Sequence, residues 1–126
     1  MESNYAASAD AEVTEMRIHG RRCLRHINPD GSKGGWVSVN AEVGRSAFVG
    51  RYAMVLDQSR VGLNGEVRNH AKVMGKAHVT GRVIGNAVVA GNARIDPEVT
   101  ISGDARVSGD AIVKTGEIGG SAQITS

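Results

Sequence analysis

A period of six residues governs what this chain can fold into. From Ala41 to Ile124 a small residue, or Val99 in one case, stands two positions before an aliphatic, beginning with Ala41/Val43, Ala47/Val49 and Ala53/Val55. The series closes with Ala105/Val107, Ala111/Val113, Gly116/Ile118 and Ala122/Ile124. Its step is six throughout, except four from Val79 to Val83 and five from Val113 to Ile118. That period fits neither the ~3.6-residue turn of a helix nor the ~3.5-residue seam of a coiled coil. Residues two apart share a face only in a strand. The Gly–Asn and Gly–Asp pairs that follow, such as Gly91–Asn92 and Gly109–Asp110, suit a sharp corner. Glycine there takes a positive φ, and Asn or Asp tolerates the bend. Each unit is therefore a short strand and a corner, and units that turn the same way coil into a parallel-stranded solenoid. One unit cannot bury its valine alone; stacking does it.

Composition agrees with that architecture. The 126 residues suit one domain, and Tyr5, Trp36, Phe48 and Tyr52 are the only aromatics. A core without aromatic area must repeat many small aliphatic contacts instead. No apolar run reaches the ~18 residues of a membrane span. The acidic N-terminus lacks the apolar segment of a secretory signal. Cys23 is the single cysteine, which excludes an internal disulfide, fits a reducing compartment and makes the cytoplasm the expected location. The net charge is only +2, but residues 17–33 carry Arg17, Arg21, Arg22, Arg25 and Lys33 against Asp30 alone. Basic character is concentrated in the N-terminal and central portions.

The repeats resemble the hexapeptide-repeat left-handed β-helix superfamily over about residues 36–126. That resemblance implies an all-β, single-stranded parallel β-helix of about five triangular coils, three units to a coil, with a left-handed turn. At ~4.8 Å per coil the prism would stand on the order of 24 Å tall. A nearer likeness is to phage and prophage proteins with GNAxV or GDAxV repeats, in which a basic L-x-R-I strand and a GGW step precede the coils. Here those are Leu24-Arg25-His26-Ile27 and Gly34-Gly35-Trp36. This likeness implies a phage-type origin, and with it the cytoplasm of a host cell.

The chain divides into an extension over 1–15, a basic cap over 16–36 and the repeats over 37–126. The extension, with its echo "SADAEV", is either one stray strand or disordered chain. In the cap, MRIHG and RRCLRHI either pair as a hairpin or lie across the first coil, Asn28-Pro29-Asp30-Gly31 marks a turn, and Trp36 is expected as a lid on the valine column. A solenoid exposes sheet edges at its ends, and GGSAQITS offers no cap, so a partner or second copy is expected over the last coil. Units three apart share an outer face. One face carries Glu42, Arg60, His78, Arg94 and Ile112; another carries Phe48, Glu66, Arg68, Arg82, Ile84 and Thr100. The third carries Lys72, Arg106 and Ser108 and gathers the apolar Met54, Leu56, Met74, Val88 and Ala90. Contiguous apolar surface marks an interaction site, so this face is expected to meet another subunit in a dimer or trimer.

For chemistry the candidates are few. Acyltransferases of the resembled superfamily use a histidine base between subunits, which points to His70 and His78, but no long insertion supplies the loop that covers an acyl donor. Its zinc enzymes use three histidines; the coils hold only those two, eight residues apart, so neither metal nor cofactor is expected. No glycine cluster forms a phosphate loop before a helix. Asp104 and Asp110 fall at different corners, too far separated for an acid/base pair. The arginines Arg17, Arg21, Arg22 and Arg25 are the best anion-binding candidates. Nucleic-acid binding would add interleaved aromatics, which the segment lacks, and is not favoured. The expected function is a non-enzymatic structural or protein-binding module of phage or prophage type, with inhibition of a host defence factor among the roles it allows. The alternatives are an acyltransferase with an inter-subunit site, and anion or nucleic-acid binding through the cap.

Overall fold

A computed structural model describes residues 15–18 and 20–125. The extension therefore lies outside the described residues, save for Glu15. Within them the six-residue units become fifteen strands of two or three residues, from Glu42–Val43 to Gln123–Ile124, and there is no helix. Three parallel sheets result: two of five strands, begun by Glu42–Val43 and Phe48–Val49, and one of eight. The long sheet also takes in β1 (Glu15–Ile18), β2 (Arg21–Ile27) and β3 (Lys33–Ser38). The product is a β-solenoid of about five coils, as the period requires.

Register follows the sequence spacing. Glu42 pairs with Arg60 and Arg60 with His78, each eighteen residues on. His78 then pairs with Arg94, only sixteen residues on, because the four-residue step from Val79 to Val83 shortens one corner. That corner draws the backbone close. A Cβ on Gly81 would run into the carbonyl oxygens of Asp96 and Val99, so only glycine fits. Every inner aliphatic from Val49 to Val107 is at most 1% exposed, and the small residues two before them are buried with them. Ser59 occupies one alanine slot, and its hydroxyl donates to the Leu56 carbonyl at 2.6 Å. A buried hydroxyl without such an acceptor would cost stability.

Of the two arrangements open to the cap, the hairpin forms. β1 and β2 pair antiparallel, β2 lies antiparallel on β3, and β3 runs parallel to Met54–Val55. The GGW step is the entry to the coil. A Cβ on Gly34 would strike the Val49 carbonyl, and one on Gly35 the carbonyls of Ala53 and Gly50. Trp36 is not a lid on the valine column. Strand alternation sends Val37 inward, so Trp36 stands on the outer face opposite Met54. The boundary drawn between cap and repeats at 36/37 thus falls inside a strand. What covers the exposed edge of the Phe48 sheet is Asn28, which is 4% exposed. Its Oδ1 accepts from the Val49 N–H at 2.8 Å and its Nδ2 donates to the Val49 carbonyl at 3.0 Å. One side-chain amide thereby replaces a neighbouring strand.

Candidate functional site

The outer side of the long sheet is where side chains of different chemistry converge. Because Val37, Val55, Val73, Val89 and Val107 point inward, their predecessors Trp36, Met54, Lys72, Val88 and Arg106 point outward in one column. Beside this column runs a corner of the prism. There Tyr52 and His70, eighteen residues and hence one coil apart, stack with ring centroids 5.4 Å apart and planes 20° apart. Tyr52 is 63% exposed. From β2, the Arg25 guanidinium lies 4.5 Å above the Trp36 ring and donates to the Gly34 carbonyl at 3.0 Å. That contact is a cation–π pair, with the charge over the electron-rich ring face.

These groups line two hollows, of about 400 and 680 Å³, that share Tyr52, Met54 and His70 and so form one groove. Arg25 and Arg51 border its upper part, and Lys72 and Arg106 its lower part. Among the described residues no Asp or Glu lines either hollow. Arg51, Lys72 and Arg106 therefore face one channel beside two stacked rings, and no carboxylate among the described residues lines it. The Glu42 sheet offers a second hollow, of about 550 Å³, where His78 lies between Arg60 and Arg94. There Glu42 pairs with Arg60 at 3.4 Å and supplies a compensating charge.

The four cap arginines do not form one cluster. Antiparallel partners share a face, and the pairs are Arg17 with Arg22 and Met16 with Cys23. Arg17 and Arg22 accordingly share a side with Glu15, which binds Arg22 at 3.0 Å. Arg21 and Arg25 take the other side. Arg21 borders a corner hollow with Asp57 and Lys76, and Arg25 joins the groove. His70 and His78 are likewise separated, one at the groove's corner and the other on the Glu42 sheet.

The apolar set Met54, Leu56, Met74, Val88 and Ala90 does share the outer face of the long sheet, but much of it is already covered. Leu56 is 3% exposed, packed with Cys23 and Trp36, while Ile18, Met54 and Met74 close around them. The chain's own hairpin thus occupies the position expected for another subunit at Leu56. Val88 and Ala90 are half-buried. Cys23 is fully buried. Burial pushes its thiol above the ordinary value, the Asp57 charge adds to that, and a bond with the Ile18 backbone opposes it.

The groove residues that the sequence did not single out are Arg51 and Tyr52, while Lys72 and Arg106 were placed on this face only as companions of the apolar set. Arg51 and Tyr52 sit at a corner, outside the strand positions from which the outer faces are counted, and their signal is the same whole-coil spacing applied to corners. Among the described residues no three His, Cys, Asp or Glu side chains converge as metal ligands do. No helix among them is long and apolar enough to cross a membrane. Comparison with protein-family models, curated proteins and solved structures returns no match.

Proposed function

We propose that the protein is a non-enzymatic binding module of the phage type its repeats resemble. The solenoid is the rigid support, and the groove on the long sheet recognises an anionic macromolecule. The observation that carries this is the set of Arg51, Lys72 and Arg106 around one groove, in whose lining no carboxylate stands among the described residues. Like charges held together on a rigid sheet repel one another, and an anionic partner relieves that repulsion as it binds. Rigidity adds to it. Lys72 and Arg106 project from strands paired on both sides, so their backbones need no further ordering on binding.

The test is titration of the full chain with polyphosphate, followed by fluorescence anisotropy. Binding is expected to weaken steeply between ~50 and ~200 mM salt. Lys72→Glu combined with Arg106→Glu is expected to weaken it at least ~tenfold, while Arg94→Glu on the neighbouring sheet changes it little. Failure to bind at the lower salt, or an equal loss in Arg94→Glu, sinks the proposal.

A further inference from the structure

The groove's rings ask for more than charge. A partner recognised through charge alone needs no aromatic lining, yet this chain gathers Trp36, Tyr52 and His70 beside its four cations. We propose that the groove takes a single-stranded nucleic acid, with bases stacked on Tyr52 and on the Arg25 plane and phosphates along Arg51, Lys72 and Arg106. This inference rests on the anionic-partner function proposed above.

Two flat platforms support it. The first is Tyr52, highly exposed and backed by the nearly parallel His70 ring. The second is the Arg25 guanidinium, braced from beneath by the Trp36 ring and at its edge by the Gly34 carbonyl. Trp36 itself is only 8% exposed, so it serves as the brace and Arg25 as the surface. Bases stack on aromatic rings and on guanidinium planes alike, with little regard to sequence. Met54 and Val88 give the groove an apolar floor between these platforms and the lower cations.

The strand must be single. A duplex hides its base faces and presents phosphates alone, which would leave the exposed Tyr52 ring without a partner of its own chemistry. From Trp36 to Arg106 the column climbs four coils, roughly 19 Å at the spacing of neighbouring strands. That length suits on the order of four nucleotides of extended strand. An acidic protein segment would satisfy the cations but supply no flat π-face for the two platforms.

The probes are a labelled oligothymidine of about ten nucleotides, its duplex with oligoadenine, polyphosphate and a polyglutamate peptide. Oligothymidine is expected to bind tightest and to change the emission of Trp36, the chain's single tryptophan. Tyr52→Ala with His70→Ala is expected to weaken oligothymidine about tenfold while leaving polyphosphate unchanged. Both side chains are exposed, so the variant's melting temperature should match the parent's. Tyr52→Phe, which keeps the ring, should retain binding. If duplex or polyphosphate binds as tightly as oligothymidine, or the double variant loses nothing, the stacking inference fails while the anionic-partner function stands. Tighter binding of polyglutamate assigns the groove to an acidic protein and overturns the inference. If no probe binds, both proposals fall together.

Discussion

The upper and lower coils share one inner column and differ in nearly everything outside it. From Gly75 onward, the corners are turned by glycines at positive φ, among them Gly75, Gly91, Gly103 and Gly109. Above it the same conformation is held by Asp57, Asn64 and Asn69. Two of these use their side chains to bind the coil beneath: Asp57 Oδ2 accepts from the Gly75 N–H at 2.9 Å, and Asn69 Oδ1 from that of Gly85 at 3.1 Å. Every aromatic residue lies at or before Tyr52. The hairpin, the Asn28 cap and both contacts of an arginine with an aromatic ring belong to the upper part as well. Where units repeat closely, each serves mainly the coils above and below it. Where they depart from the repeat, the side chains are released for capping and for contacts between arginines and rings.

The largest expected break in this comparison is at Gly35. Its Cβ would overlap the Ala53 carbonyl, and two strands pin the backbone there. Gly35→Ala is expected to lose on the order of 3 kcal/mol or more in urea unfolding. Gly119→Ala, in the last coil, meets only the Ser102 hydroxyl at 3.1 Å and should change stability by less than ~1 kcal/mol. Equal losses at the two positions would show that crowding at the coil entry is not what makes GGW necessary.

That contrast also explains what was legible in the sequence. The inner column could be read residue by residue, because strand alternation and a six-residue period leave no other placement for Val49 through Val107. The outer faces followed from the same count, and the observed register agrees with all three. Two things stayed hidden. Trp36 was misplaced because an isolated aromatic beside a core looks like a lid, whereas one step of alternation past Val37 turns it outward. The groove was missed because Arg51, Tyr52 and His70 lie at corners, outside the strand positions from which the faces were counted. Tyr52 and His70 look unrelated along the chain, and Arg25 reaches Trp36 only once β2 folds back on β3. Asn28 was legible as a turn former, but nothing local announces that its amide pairs with Val49.

The hairpin gives the next largest test. Leu56→Ala removes the centre of the cluster under β1 and β2 and is expected to cost about 2–4 kcal/mol. Hydrogen exchange below Gly75 should stay protected, while Cys23 becomes reactive toward a disulfide reagent at neutral pH. The buried thiol also sets a pH dependence. Its folded pKa lies above its unfolded one, so the folded chain keeps a proton that the unfolded chain releases. Stability is therefore full below the unfolded value and falls as pH rises above about 9 toward the folded one. Thermal melts across that range should show the loss, and Cys23→Ala should remove it.

Asn28→Ala comes next. It strips the Val49 N–H and carbonyl of their partners at a buried edge, at an expected cost of about 1–3 kcal/mol. Asn28→Asp keeps the acceptor for the Val49 N–H but turns a charged oxygen toward the Val49 carbonyl. It should be at least as destabilising at neutral pH and partly recover in acid, where the protonated carboxyl can donate again. Recovery seen in equal measure for the alanine variant would mean that the edge, not the amide, responds to pH.

At the other extreme stands the corner pair Asn92 and Asp110, where Nδ2 donates to Oδ1 at 2.9 Å in full view of solvent. Water replaces such a bond almost without loss, because both groups remain hydrated in the unfolded and the folded chain. Asp110→Ala is expected to shift stability by less than ~0.5 kcal/mol, and its coupling to Asn92→Ala in a double-mutant cycle should be as small. The positive φ beside it belongs to Gly109, so the substitution leaves the backbone of the corner unstrained. A loss comparable to that at Asn28 would mean that the lower corners stabilise the coil through their side chains, as Asp57 and Asn69 do above. A negligible one places the holding force of the lower coils in the valine column and the backbone ladders alone.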